Sequence, residues 1–557
     1  MRVVLSLIQW SEDRSRRVSR MPAAGSRWSL ILVLMIGAVV QVGRGVAIAE
    51  AHTERLDDPA MLHHGLSFLD GTFNRLEWVR NPPVGAALGA FPLWLAGVRP
   101  RGVDLVFYDQ PISPEEALRR VAIWKSLLSL PLIGLAFHWA RSLYGQGAGW
   151  LASIAILVEP NFAAHTPLPT TDVLCVQGFA FAAWLSWRYC AAPSTARLAG
   201  FAAGFAFALM MKLTAILLLP VVAVTAALNW RGTSLRFVLR HVILGALFTF
   251  FVLWALTGFD VAPMLNQSGL GRPIPAWLAP FANWPVPARM FWAAVWDGRY
   301  AMSWPAFLLG MHSQTGWWYY FPILALYKIP LGIMGLLALG VASFRRRPVT
   351  APEQGLLVPL AALIVFLLLV PVNVGFRHAL PAYFFAILLA TRAGASAPRI
   401  GAFAWLFVAA AGTHALTFHP DYLSYVNFSR EKVARDIGDS NLDWGQATKQ
   451  IARWLDDLRL PPGKHVWLIY HPERKDTLRH YIGDRATSLD LTDPRPTSGI
   501  LIISPMQETG DPVVEKRLRA LVPDAVIGHA ALVYDLDAHA SGGAFQWNHT
   551  DPRAGPR

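Results

Sequence analysis

The chain has 557 residues, of which 54% are hydrophobic and only 15% charged, with 23 tryptophans and a mean hydropathy of +0.37; this excludes an ordinary soluble domain and points to an α-helical polytopic membrane protein. The formal charge of +13 does not argue for a nucleic-acid partner, because the arginines fall in short runs between apolar segments, where membrane orientation accounts for them. Cys175 and Cys190 lie on one predicted helix, roughly 22 Å apart at 1.5 Å per residue, too far for a disulfide, and neither supports a redox or metal role.

In chain order, a basic N-terminus over 1–27 leads into an apolar run at 28–49. Further runs follow near 120–140, 148–160, 171–188, 198–211, 213–229, 241–258, 321–343, 355–371, 379–391 and 400–418, giving about 11 predicted transmembrane helices within 28–418. An odd number puts the termini on opposite sides. Arg14, Arg16, Arg17, Arg20 and Arg27 precede the first span, and alternate loops repeat the bias with Arg141, with Arg188 and Arg197, with Arg231, Arg236 and Arg240, with Arg345 to Arg347, and with Arg392 and Arg399. Those segments are therefore expected in the cytoplasm, and the long loops at about 50–119 and 259–320 outside, with everything from His419 onward. Ala47-Ile48-Ala49 resembles a signal-peptide cleavage site, but the many later spans favour an uncleaved first helix.

The stretch 198–229 carries Lys212 in its midst and reads either as one long tilted helix or as two short helices meeting at Lys212. The second reading keeps the basic loop 230–240 inside and lifts the lysine toward the outer face. Beyond the last span, 419–540 reads as a small C-terminal α/β soluble domain: Trp444 to Leu460 has helical apolar spacing, and 465–470, 499–504 and 527–535 read as strands. The tail 541–557 has the composition of a disordered segment, and no repeat of fixed period is present.

This topology collects one layer of ionisable side chains at the outer face: Asp57, Asp58, Glu77, Glu159, His165, Asp172, Lys212, Asp297, His312, Lys328, Arg377 and His378. Charged groups near membrane depth are costly and mark a pathway or a site. Carboxylates beside cations suit chemistry on an anionic, membrane-bound substrate. Each candidate also has a bland reading. An acid before Pro59 can cap a helix whose first position is proline, and Asp172 can be a first-turn acid favoured by the helix dipole. Arg377 and His378 can anchor at the interface, Trp317 to Tyr320 can be an aromatic belt, and Glu159 before Pro160 can end its helix on the wet side. Lys212 is harder to explain away, since a lysine amid apolar residues needs an anion or an escape to the interface.

At Asp57-Asp58-Pro59-Ala60, Gly65-Leu66-Ser67 and Asn81-Pro82-Pro83 the chain resembles the first outer loop of bacterial relatives of the dolichyl-phosphate-mannose protein mannosyltransferases. Further matches follow in order: Leu143-Tyr144-Gly145, His165 with Thr170-Thr171-Asp172, Met211-Lys212, Gly316 to Pro322 with Lys328, Gly375 to Pro381, His419 to Tyr425, and Asp439 to Gln446. They span about residues 50–450. The resemblance implies a type C glycosyltransferase fold in a bacterial cytoplasmic membrane, N-terminus inside and C-terminal domain outside. It implies transfer of a sugar from a polyprenyl-phosphate carrier to an extracytoplasmic protein, glycolipid or polysaccharide. By position, Asp57 matches the family's first acid and Asp58 the acid after it; both are candidate catalytic residues, Asp57 as general base and Asp58 orienting it or the acceptor. Lys212, Arg377 and His378 are the candidate donor phosphate-binding cations, and Asp172, Asn81, His165 and Tyr320 the candidate substrate-binding residues.

The chain departs from the family pattern at Asp58, where Glu is usual, at Met61, where His is usual, and at Arg80-Asn81, which replace Glu-His. These changes remove metal-ligand candidates, so no cofactor is expected, and they leave a changed acceptor or lost activity open. A transporter or flippase of a lipid-linked sugar would use the same cations without a base, although the matched halves of such folds are not visible here. A non-catalytic scaffold relative is the other alternative. The Asp439 to Gln446 run carries no evident mechanism beyond capping the helix after it.

Overall fold

The computed structural model describes residues 25–541 except 73–80, 101–109, 264–278, 282, 299–304, 396, 429–432, 435, 462, 471–474, 491–492, 494, 511–513, 516–517 and 519–520. Glu77, Arg80, the N-terminal arginines before Gly25, the tail beyond Ser541 and the side chain of Asp297 lie outside the described residues.

The chain is mostly helical. Among the described residues, five helices are long and apolar enough to cross a membrane: Arg27–Ala51, Pro114–Tyr144, Leu235–Leu256, Ala351–Leu369 and Pro398–Leu416. A sixth arises if the bent pair Tyr320–Lys328 and Leu331–Ser343 is one span. The remaining predicted spans correspond to shorter apolar helices, among them Gln146–Val158 and Thr195–Met211, or to helices packed within the bundle, such as Asp172–Ala191 and Leu380–Ala390.

The element boundaries have local causes. Ser113 accepts a hydrogen bond from the Glu116 amide and starts α4 (Pro114–Leu128), with Glu115 and Glu116 in its first turn and Lys125 in its last, the charge order that the helix dipole favours. Ser194 and Ser234 cap α9 (Thr195–Met211) and α11 (Leu235–Leu256) in the same way. At Lys212 the backbone leaves the helix (φ −162°, ψ 138°) before a 3₁₀ turn at Leu213–Leu217 and α10 (Leu218–Asn229), so the two-helix reading of 198–229 is the one observed. The run 321–343 does break. Pro330 lacks an amide proton to continue the preceding turn, and α13 (Tyr320–Lys328) meets α14 (Leu331–Ser343) at 117°.

The stretch 50–119, expected as an outer loop, carries two helices, α2 (Asp58–Leu69) and α3 (Pro83–Leu95), packed tightly against each other. A Cβ on Gly65 would stand 2.3 Å from the Ala86 carbonyl oxygen, so glycine permits this approach. α3 lies within the stretch 50–119 expected as an outer loop, and its 13 residues are too few to span a bilayer.

In the C-terminal region, β5 (Val466–Ile469), β6 (Thr487–Ser488), β7 (Ile500–Ile503), β8 (Ala525–Ile527) and β9 (Ala531–Asp535) form one sheet in the order β6-β5-β7-β9-β8. β5 runs parallel to β6 and β7, while β9 is antiparallel to both β7 and β8. The predicted strand 527–535 is a hairpin, turning at Gly528 with φ +57°. The helix expected over Trp444 to Leu460 is α18 (Thr448–Asp457). Alternation splits the sheet's side chains between two cores. Ile500, Ile502 and Val533 pack with Ile451 and Leu455 of α18, whereas Leu501, Ile503, Leu532 and Tyr534 join the cluster that also holds Phe376, Tyr425 and Ile437. The sheet is thus continuous in packing with the helical body that carries the outer-face residues.

Candidate functional site

Four loops and helix ends converge: the turn into α2, the start of α8 (Asp172–Ala191), the break at Lys212, and the 3₁₀ turn Phe376–Ala379. Lys212 Nζ donates to Asp172 Oδ1 at 2.7 Å, with 15% and 4% of the two side chains exposed. Gly85 at the start of α3 lets that helix reach them: a Cβ there would stand 2.9 Å from Thr171 Cγ2 and 3.2 Å from Met211 Cα. From beneath, Lys125 of α4 donates to the Thr170 carbonyl at 2.9 Å and pins the loop before Asp172. Sequence reading missed this buried lysine. A lysine inside the predicted span 120–140 was the available signal.

Arg377 Nη1 lies 3.4 Å from Asp57 Oδ2, and the guanidinium carbon sits 4.0 Å above the Trp444 ring. Its Nε is buried without a partner, and the carboxylates of Asp172, Asp57 and Asp439 all act on its charge. Asp57 occupies the N-cap position of α2, yet its side chain caps nothing, and 40% of it remains exposed. The surrounding protein raises its pKa above the usual carboxylate range, opposed by Arg377 and reinforced by Asp439 and Asp172. Asp58 faces the other way. It is fully buried, accepts from the Arg55 amide at 3.0 Å, and lies 3.6 Å from the Arg55 guanidinium; burial pushes its pKa to about 6 against the pull of Arg55.

Lys212, Arg377, His378 and Asp172 line a small cleft together with Phe179, Leu217, Leu363 and Phe366. Its lining is amphipathic, with cations that suit an anion and apolar side chains that suit hydrocarbon. His165 stands against Trp444, with ring centroids 6.4 Å apart. Other sequence candidates lie elsewhere. Tyr320 has no exposed surface and its hydroxyl accepts from the Gly375 amide at 3.1 Å, in the wall behind the cleft. Asn81, half-buried just before α3, makes none of the hydrogen bonds or ion pairs described for the cluster. Glu159 caps its helix by accepting from the Phe162 amide at 2.8 Å. Lys328 is spent on three backbone carbonyls, and His312 pairs with Glu515 at 2.9 Å. Among the described residues, no group of three His, Cys, Asp or Glu side chains is arranged to hold a metal ion.

The family of dolichyl-phosphate-mannose-protein mannosyltransferases matches residues 115–256. In that segment the chain is similar to the family that its ordered motifs resemble. No curated protein matches the chain. Among solved structures, it is similar to the protein O-mannosyltransferase Pmt1-Pmt2 complex of S. cerevisiae bound to its sugar donor, at 15% identity and a TM-score of 0.35, over 46% of this chain and 38% of the yeast chain. The chain therefore spans well under half the length of that relative. It is also similar to ArnT from Cupriavidus metallidurans bound to undecaprenyl phosphate (13% identity, TM-score 0.31, 96% of this chain and 100% of that one). A third likeness is to the Archaeoglobus fulgidus oligosaccharyltransferase (14% identity, TM-score 0.37, 83% and 62%).

Proposed function

We propose that this chain is a type C membrane glycosyltransferase that moves a sugar from a polyprenyl-phosphate carrier to an acceptor hydroxyl or amine outside the cytoplasm. The observation that carries the reading is the small cleft that Lys212, Arg377 and His378 line together with Phe179, Leu217, Leu363 and Phe366. A phosphate on a long hydrocarbon chain needs both halves: fixed cations for its oxygens and an apolar wall for its tail.

In this reading Arg377 and Lys212 hold the donor phosphate, and Asp172, 2.7 Å from Lys212, keeps the ammonium aimed into the cleft. Asp57 takes the proton from the acceptor as the acceptor atom forms its bond to the anomeric carbon. The carbon–oxygen bond to phosphate breaks in the same displacement. Its electron pair leaves with the polyprenyl phosphate, whose growing charge Arg377 and Lys212 stabilise, and the anomeric configuration inverts. Asp58 positions rather than reacts: its grip on Arg55 fixes the turn that presents Asp57.

The test is sugar transfer in membranes supplied with polyprenyl-phosphate sugars, for the wild-type chain and for Asp57→Asn, Lys212→Met and Arg377→Ala. Transfer by the wild type and loss in all three variants is expected. Lipid-linked sugar crossing the membrane without transfer, undiminished in Asp57→Asn, would instead make this a flippase.

A further inference from the structure

The Asp439 to Gln446 segment is the motif that the reaction above leaves unused. It touches both halves of the proposed machinery. Asn441 Oδ1 accepts from the Phe376 amide at 2.9 Å, and its Nδ2 donates to the Gly438 carbonyl at 2.7 Å and to the Tyr320 hydroxyl at 3.3 Å. That hydroxyl also accepts from the Gly375 amide. Asn441 therefore bridges the two residues that precede Arg377. Gly375 has φ +79°, and a Cβ there would stand 2.7 Å from Ser440 Oγ, so the turn and the segment are matched surfaces. Three residues on, the Trp444 ring lies under the Arg377 guanidinium, its centroid 4.0 Å from Cζ. The Trp444 carbonyl accepts from the Leu56 amide at 3.1 Å, one residue before Asp57, and its own amide donates to Gln446 Oε1 at 2.7 Å.

The segment is anchored at both ends. Lys328 donates to the Asn441 carbonyl at 2.7 Å from the membrane side. From the sheet, the Tyr470 hydroxyl donates to Asp443 Oδ1 at 2.7 Å and the Ser504 hydroxyl, after β7, to Asp443 Oδ2 at 2.5 Å. An arginine side chain loses rotamer entropy when it is ordered, and packing on a ring can order it before the ligand arrives. Contact through one face leaves the guanidinium N–H groups, which point along its edges, for other partners.

We infer that Asn441 and Trp444 are positioning residues for Arg377: Asn441 fixes the backbone turn at Gly375–Phe376, and Trp444 fixes the plane of the guanidinium so that its free edge meets the donor phosphate. The C-terminal sheet belongs to the site through Asp443. This inference rests on Arg377 being the phosphate clamp.

The experiment measures undecaprenyl phosphate binding to the full-length, detergent-purified protein by thermophoresis, with thermal unfolding read in parallel. Trp444→Leu is expected to weaken binding about ten-fold, and Trp444→Phe, which keeps a ring, only about two- to three-fold. Asn441→Leu should weaken binding about ten-fold, because it frees the turn and leaves the Phe376 amide unpaired, with Asn441→Asp, which keeps the acceptor, intermediate. In an Arg377→Ala background, Trp444→Leu should weaken binding no further. If Trp444→Leu costs the same factor with and without Arg377, or nothing in its presence, the positioning role is wrong. Where Trp444→Leu does not fold, Trp444→Phe carries the same comparison. If Arg377→Ala binds the lipid as tightly as the wild type, the phosphate-clamp reading falls, and this inference falls with it.

Discussion

Replacing Asp57 by Asn tests the base assignment, because it changes charge and basicity with little change in shape. A general base contributes about 10²–10⁴ in rate, or about 3–5 kcal/mol of barrier, and the turnover number should fall by that factor. Donor binding should move the other way. Asp57 Oδ2 lies 3.4 Å from Arg377 Nη1 with 40% of the aspartate side chain exposed. A pair so open to solvent is worth about 0.5–1 kcal/mol, so releasing Arg377 from it should tighten phosphate binding about two- to five-fold. The pH profile adds a third reading. The base must be ionised, and the surrounding protein raises the Asp57 pKa against the pull of Arg377. Activity should therefore rise with pH along a limb lying above the ordinary carboxylate value, and that limb should vanish in the variant. Single-turnover transfer from a polyprenyl-phosphate sugar across pH supplies the rates, and lipid titration the affinities. A turnover number within three-fold of wild type, with the acidic limb intact, refutes the assignment.

Three further outcomes follow from the packing. Asp172→Ala leaves the Lys212 ammonium, 15% exposed, against apolar walls and should cost about 3–5 kcal/mol in thermal unfolding; the double change Asp172→Leu with Lys212→Met should cost less than Asp172→Ala alone, and a double variant less stable than both singles contradicts the pairing. Gly375→Ala forces a Cβ into a φ of +79° and against Ser440 Oγ, so it should lower stability by about 1–2 kcal/mol and weaken donor binding as well; an unchanged melting temperature argues that the turn is free to shift. Lys328→Met strips donors from the carbonyls of Leu423, Tyr425 and Asn441, at about 1–3 kcal/mol for a buried group left unsatisfied; limited proteolysis should then open the chain near 423–441, and an unaltered digest would show that other contacts hold it.

What the sequence made legible was governed by the range of the physics involved. A lysine at 212 amid apolar residues forces a local break, and the break is there. The helix at Thr448–Asp457 shows in its own spacing. Local features were overlooked where a stronger average masked them: Pro330 within an apolar run, and the Gly528 turn inside a strand-like string. The long-range contacts left no local trace, even where the residue itself stood out, as Lys125 does inside a predicted span. Lys125 serves the Thr170 carbonyl 45 residues away, and Asn441 serves the Phe376 amide 65 residues away. Neither partner is a side chain, so no residue pattern advertises the contact. The same holds for Tyr320, a substrate-binding candidate whose hydroxyl accepts from the Gly375 amide 55 residues away.

The charge arrangement around Arg377 has a consequence for the order of events. Asp57, Asp172 and Asp439 all act on this one guanidinium, and Lys212 is already paired with Asp172. Both cations are thus already paired with carboxylates, which limits the cost of holding them at membrane depth. A phosphate entering the cleft competes with these carboxylates for the same donors. Asp57 is the partner it displaces most readily, because its contact is the longest, at 3.4 Å against 2.7 Å for Asp172 with Lys212, and the most exposed. Once displaced, Asp57 loses the cation that depresses its basicity and gains a nearby anion that raises it. In the proposed reading, donor binding would therefore raise the basicity of Asp57, so that the acceptor is deprotonated when a sugar phosphate is in place, and donor-first binding is the order expected from the electrostatics of the pair.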